Sequence, residues 1–216
     1  MKTIALVDKH EIARFGMRYL IEQRPDLQIV GESGDSKGAI SLLERETAPD
    51  LLIVDLELDL SDSAIFVKDC LRIRDSLPIL VVTDQDDLIF AERAIRSGVA
   101  GFLSKKEFSG KFLFAIETVL SGGLYLSRSH GAHILNSTLR NGNGACDDPV
   151  ASLSGRELHV FKMIGSGHSI KDIAEGLGIS RKTVESFREK VKWKLSFDNA
   201  ASLKKAAVRW INEGEF

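Results

Sequence analysis

The stretch Leu153–Leu195, LSGRELHVFKMIGSGHSIKDIAEGLGISRKTVESFREKVKWKL, reads as three short amphipathic helices divided by glycine-bearing turns. In the first segment Leu158, Phe161, Met163 and Ile164 fall near one face. In the second, Ile170 to Gly176, the residues Ile170, Ile173 and Ala174 point inward. In the third, Arg181 to Leu195, the apolar residues Val184, Phe187, Val191 and Leu195 recur at helical spacings of three or four. Ser154 followed three residues later by Glu157 is a capping-box pattern, and Ser169 and Ser180 are placed to cap the next two helices. Gly167-His168 and Gly176-Leu177-Gly178 supply the turns. A three-helix unit with a tight turn before its last helix has the shape of a helix-turn-helix.

The polar face of that last helix carries Arg181, Lys182, Arg188, Lys190, Lys192 and Lys194, with Thr183, Glu185, Ser186 and Glu189 among them. Lysine and arginine neutralise phosphates, while serine, glutamate and arginine meet base edges when such a helix lies in a major groove. Residues 152–211 hold twelve Lys/Arg against six Asp/Glu, a net charge of +6. An ordinary bundle with one solvated basic helix would show similar charge. The turn, the caps and the serine-rich entry favour the helix-turn-helix. Expected DNA contacts are Lys182, Thr183, Glu185, Ser186, Arg188, Glu189 and Lys192.

The block Leu153-Ser154-x-Arg156-Glu157, then Ile164-x-x-Gly167-x-Ser169-x-Lys171-Asp172-Ile173-Ala174, then Ile179-Ser180-x-Lys182-Thr183-Val184 and Lys194-Leu195, resembles the output domain of NarL/FixJ/LuxR-type response regulators. The resemblance implies a DNA-binding domain of four helices whose last one, Asn199 to Ile211, dimerises. Leu203, Ala206, Ala207, Trp210 and Ile211 form one stripe there. It also implies that Glu185, Ser186 and Glu189 face the bases. A glutamate accepts from a cytosine amino group, although Glu189 has lysine and arginine neighbours with which it could pair instead. Trp193 and Trp210 are both expected to pack this domain.

The whole chain has 216 residues, 44% hydrophobic and 28% charged, which suits a two-domain globular protein. No apolar run approaches the ~20 residues of a membrane helix, and no leader signature opens the chain. Cys70 and Cys146 stand apart and form no disulfide framework or zinc spacing; a reducing cytoplasm is expected. The net charge of −2 conceals an asymmetry, since residues 1–120 carry fifteen basic and twenty-one acidic side chains. An acidic half beside a basic half implies different partners.

In that acidic half, strand-like runs at residues 3–8, 27–31, 51–55, 78–83 and 100–103 alternate with helical ones at 11–23, 36–46, 63–75, 88–97 and 108–121. Alternation of this kind predicts a doubly wound five-stranded parallel sheet, the flavodoxin-like α/β class. In the first helix Ile12, Phe15, Tyr19 and Leu20 are expected on the inner face. Ligands in such sheets sit beyond the carboxyl ends of the strands. Those ends supply Asp8, Asp55, Thr83 and Lys105. A carboxylate nucleophile beside a hydroxyl and an ammonium suits an acyl-phosphate site.

Residues 1–121 thus resemble the receiver domain of the same regulators. The resemblance implies Asp55 as phosphoacceptor, Thr83 as switch hydroxyl, Phe102 as switch aromatic and Lys105 as the site lysine. A second acid, the direct magnesium ligand of the family, is missing, because Asp8 is followed by Lys9. The loop after Asp55, Leu56-Glu57-Leu58-Asp59-Leu60-Ser61, also lacks the family's proline and glycine. Magnesium needs oxygen ligands in a near-octahedral array, and an ammonium gives none. Two arrangements follow. Either Lys9 reaches Asp55 and takes the metal's electrostatic place, or Lys9 faces solvent while Asp8 and Glu57 hold a weakened ion. We expect the first, hence no cofactor, no bound metal and poor or absent phosphorylation.

The expected organisation is a receiver at 1–121, a linker with a connecting helix at 122–151, and a helix-turn-helix domain at 152–216. Leu124 to Arg140 is read as one helix, Asn141 to Pro149 as a flexible joint. His130 and His133 lack a third ligand nearby and are read as exposed polar residues, and His10 as lining the pocket or starting a helix. The resulting function is a homodimeric, cytoplasmic, sequence-specific transcription regulator that binds double-stranded DNA, with a sensor histidine kinase as candidate partner. Conventional activation through Asp55, or a receiver used mainly for protein contacts, are the alternatives. An enzyme is not expected: the loop Asp8-Lys9-His10-Glu11 offers no flavin phosphate cradle, and the acids match a phosphatase pair only in part.

Overall fold

The computed structural model describes residues 1–56, 58, 63–84, 88–141 and 149–213, and the chain divides into two compact units, Met1–Asn143 and Gly144–Phe216. The first unit alternates β1 (Lys2–Val7), α1 (Glu11–Glu22), β2 (Leu27–Ser33), α2 (Ser36–Leu43), β3 (Leu51–Val54), α3 (Ser63–Ile73), β4 (Ile79–Thr83), α4 (Leu88–Arg96), β5 (Gly101–Ser104) and α5 (Phe108–Leu120). All strands pair in parallel, in the order β2-β1-β3-β4-β5. Successive side chains of a strand face opposite ways. In β1, Ala5 and Val7 therefore join the core under α2, α3 and α4, while Ile4 and Leu6 join the core under α1 and α5. Burial on both faces is why these strands read as unbroken apolar runs.

The inner face of α1 differs from the expectation. Ile12, Phe15 and Tyr19 are 84%, 62% and 58% exposed, and it is Met17 and Ile21 that are buried, with Ala13 and Leu20 beside them. Both sets have helical spacing, and the one with the smaller residues meets the sheet.

The connecting helix is also shorter than expected. Tyr125 pairs with Gly101 at the edge of β5, donating to the Ala100 carbonyl and accepting from the Phe102 amide, so α6 spans only Arg128–Asn141. It packs on α4 within the first unit. His130 is 3% exposed, edge-on to Phe102 at 5.1 Å, and His133 Nε2 lies 3.1 Å from Glu92 Oε2. The expectation that both histidines are exposed polar residues is corrected by this docking. Most of the segment read as a flexible joint, residues 142–148, lies outside the described residues.

The second unit holds α7 (Gly155–Gly165), α8 (Ile170–Leu177), α9 (Arg181–Lys194) and α10 (Ala200–Glu213). Its starts follow the serines. Ser154 accepts from the Glu157 amide and Ser169 from the Asp172 amide, each acid returning the bond to the serine amide. Ser180 accepts from the Thr183 amide. Gly178 closes α8 at φ 64°, a left-handed conformation that glycine adopts without strain. Leu158, Val160 and Phe161 of α7, Ile173 of α8, Val184 and Val191 of α9, and Leu203 and Ala207 of α10 form the core.

Candidate functional site

Six polar or charged residues are buried among those described: Asp8, Asp55, Thr83, Ser104, His130 and Glu157. Four of them, Asp8, Asp55, Thr83 and Ser104, stand at the carboxyl ends of β1, β3, β4 and β5, at or one residue past each strand end. The sheet order reverses between β1 and β3, which opens the crevice there. Asp8 and Asp55 flank it, at 0% and 1% exposure.

The cation seated between them is Lys105, from the short 3-10 turn that follows β5. Its Nζ lies 2.7 Å from Asp55 Oδ2, to which it donates a hydrogen bond, and 2.7 Å from Asp8 Oδ2. The Asp8 contact is a close ion pair. Burial of the ammonium opposes its charge, yet Asp55 and Asp8 outweigh burial and hold the Lys105 pKa above the usual lysine value. The other oxygen of Asp8, Oδ1, accepts from the His10 amide at 2.8 Å and lies 3.2 Å from His10 Nδ1. Lys9 is exposed beside this pair, so the expectation that Lys9 reaches Asp55 is corrected: Lys105 holds the place between the acids. Thr83 is 1% exposed and Phe102 fully buried, already inside the core under α6. Glu57, named as a pocket acid from the sequence, lies outside the described residues.

The pocket does not fit the magnesium ion that the resemblance implies. Both outer carboxylate oxygens already face an ammonium, and position 9 carries an ammonium where another oxygen ligand would stand. One grouping of three ligand atoms within 4.8 Å occurs among the described residues, on Asp8, His10 and Asp55. Its imidazole nitrogen is a borderline donor, whereas magnesium takes oxygen.

In the second unit α9 presents Lys182, Glu185, Ser186 and Glu189 to solvent. Thr183, Arg188 and Lys192 are partly buried at its flanks. Glu189 pairs with Lys192 at 2.7 Å and lies 3.9 Å from Arg188, and the Lys192 contact depresses its pKa. Glu189, one of the two acids on this face, is thus neutralised by its own helix. Two features were missed in the sequence. Lys194 Nζ meets buried Glu157 Oε2 at 2.6 Å, tying the end of α9 to the start of α7. Trp193 is 81% exposed, so it does not pack the unit; Trp210, at 5%, does. The wide spacing of Val184, Val191 and Leu195 was the available signal, since Trp193 falls opposite that stripe.

Residues 4–117 match the family described as response regulator receiver domain, and residues 151–208 match bacterial regulatory proteins, luxR family. Oxygen regulatory protein NreC of Staphylococcus aureus is 29% identical over 212 residues, covering 95% of this chain and 96% of the relative. RcsB of Salmonella enterica serovar Typhimurium, solved bound to promoter P1flhDC with phosphomimetic BeF3−, superposes with TM-score 0.58 at 23% identity, over 96% of this chain and 98% of that one. A LuxR-family two-component response regulator from Aurantimonas sp. SI85-9A1 is 31% identical, with TM-score 0.59, over 64% of this chain and 99% of that one.

Proposed function

The chain belongs to the response regulators, a receiver domain joined to a luxR-family regulatory domain, and from that premise we propose that it is a sequence-specific, homodimeric transcription regulator whose receiver is phosphorylated poorly or not at all. Its place of action is the cytoplasm, where DNA lies. Among the described residues no helix is long and apolar enough to cross a membrane.

The observation that carries the reading of the receiver is the Lys105 ammonium, 2.7 Å from both Asp8 and Asp55. Phosphoryl transfer to a carboxylate needs positive charge that neutralises both the acid and the incoming phosphoryl oxygens. A metal ion would supply two charges from a position the acids leave open. Here a single charge already serves two buried acids, and no oxygen at position 9 recruits a second cation. The switch aromatic Phe102 is already inward, with His130 of α6 against it, which suits a receiver resting in one state. A sensor kinase as partner is then dispensable, and regulation falls to abundance, dimerisation or another ligand.

For the output, support comes from the capped α8–α9 frame and from a residue face of Lys182, Thr183, Glu185, Ser186, Arg188, Glu189 and Lys192. The bound promoter in the RcsB structure supports the same role by likeness of fold. Incubation with acetyl phosphate and magnesium, followed by intact mass measurement, tests the receiver; rapid, near-complete gain of one phosphoryl group, lost in Asp55→Ala, would overturn the reading in favour of conventional activation. Gel shifts across a salt series test the output. Phosphate neutralisation gives a steep fall of affinity with salt, and a chain that signals only through protein contacts shows none.

A further inference from the structure

Trp193 is the most exposed aromatic among the described residues of the helical unit, at 81%, against 5% for Trp210, whose ring lies tilted against Phe161 at 5.6 Å. A tryptophan withdraws a large apolar area when it is covered, so leaving one in water on a well-formed helix is a cost without a structural return. Its place on α9 is specific. Val184, Val191 and Leu195 are buried, at spacings of seven and four. On the opposite side, Lys182, Ser186, Glu189 and Trp193 follow at spacings of four, three and four and are all exposed. Such spacing puts them in one line along the helix. The line contains Lys182, Ser186 and Glu189, three of the seven residues assigned above to the DNA-facing surface, and the indole ends it, about 10 Å beyond Ser186 along the axis at 1.5 Å per residue.

The surroundings of the ring favour DNA over protein as its occupant. The α9 residues next to it are Glu189, Lys190, Lys192 and Lys194. A protein partner wants a contiguous apolar patch, whereas an isolated aromatic set among lysines matches the alternation of sugar, base and phosphate along a nucleic acid. We propose that Trp193 is a DNA-contacting residue, its ring closing on deoxyribose and thymine-methyl surface at the wall of the major groove and its Nε1–H donating to a phosphate oxygen. The inference rests on the reading of α9 as the groove-entering helix.

The test uses the full chain and a 30-base-pair duplex enriched from a random pool by that chain. Trp193 dominates the solvent-exposed tryptophan emission, so titration with the duplex shifts and quenches that emission with the midpoint seen in gel shifts. Trp193→Phe leaves only Trp210, and its emission stays unchanged on titration. Trp193→Ala binds roughly tenfold more weakly, the worth of one good groove contact, while the slope of log affinity against log salt keeps its wild-type value because no cation is lost. Lys182→Ala, by contrast, lowers that slope by about one. Unchanged melting temperatures of both tryptophan variants separate these effects from misfolding. If the wild type selects duplexes but the emission of Trp193 ignores them and Trp193→Ala binds equally well, the inference falls and the DNA-binding reading stands. If acrylamide fails to quench Trp193 in the free chain at concentrations where it is dimeric, a second copy covers the ring and the inference falls likewise. If no duplex is enriched, both readings fall together.

Discussion

Lys105 is one ammonium serving two carboxylates that are 0% and 1% exposed. Its removal leaves two buried acids without this countercharge, so Lys105→Met lowers unfolding stability by about 3–5 kcal/mol at neutral pH, measurable by urea denaturation. The raised lysine pKa fixes the pH dependence. A group charged more readily in the folded chain contributes fully below its unfolded value, about 10.4, and loses its contribution as pH rises through the folded value. The gap between wild type and Lys105→Met therefore holds from neutrality to about pH 10 and closes above. Asp50 gives the opposite sign. The Thr3 amide and Lys2 hold its carboxyl down to about 2, so its contribution is present above the ordinary carboxylate range and disappears between about pH 4 and 2. As this side chain is 36% exposed, Asp50→Asn costs on the order of 1 kcal/mol after solvent screening. The positions of Asp8, Asp55, Thr83 and Lys105 were legible because strand ends are legible. Which lysine sits between the acids was not. A long side chain at the rim keeps its ammonium hydrated, and nothing in the order Asp8-Lys9 says that the lysine just after β5 reaches the floor.

Helices α7 and α10 cross at Gly165. A Cβ there would stand 2.6 Å from the Ala207 carbonyl oxygen, and backbone cannot give way as a side chain can. Gly165→Ala consequently destabilises the helical unit by about 1–3 kcal/mol, read as a lower denaturant midpoint at unchanged slope. The start of α7 carries a second expectation. Glu157 is buried, which would raise its pKa, but Lys194 and the Ser154 amide outweigh burial and bring it down. Its stabilising bonds are complete above about pH 4.3 and are lost as pH falls below that. Ser154→Ala removes the other half of the box and costs about 1 kcal/mol. All three serine caps, Ser154, Ser169 and Ser180, and the helix periods behind them were visible in the sequence, because capping chemistry is local. Helix orientation was less so. In α1 the expected set Ile12, Phe15, Tyr19 and Leu20 has as regular a period as Ala13, Met17, Leu20 and Ile21; Leu20 does turn inward, but the larger side chains drew the rest of the expectation to the wrong face. Periodicity finds a stripe; the packing distance to the sheet, set by small residues such as Ala13, decides which stripe turns in. His130 was misread for a similar reason, since its burial depends on α6 docking on α4 and on Phe102 beneath it, a contact across distant sequence.

Two units with separate cores, one carrying an excess of acids and the other of bases, should melt as two transitions rather than one. That separation makes the state of the pocket measurable in the intact chain. A ligand that binds only the folded form raises the transition of the unit it binds, by about 2.7 kcal/mol at a hundred times its dissociation constant. A selected duplex therefore raises the transition of the basic unit. Beryllofluoride, the phosphomimetic in the RcsB structure, needs the same open acid and the same compensating cation as a phosphoryl group. With Lys105 shared between Asp8 and Asp55, and Lys9 in place of an oxygen ligand, beryllofluoride with magnesium should leave the transition of the acidic unit unmoved in differential scanning calorimetry. Replacing Lys9 by Asp supplies the missing oxygen ligand and removes a repelling charge, and the same addition should then raise that transition by several degrees, as ~1 kcal/mol moves a domain of this size by about 2–8 °C. A rise already present in the wild type would mean that the ammonium of Lys105 yields its place to a metal. A Lys9→Asp chain that stays unresponsive would mean that the loop after Asp55, and not position 9, closes the pocket.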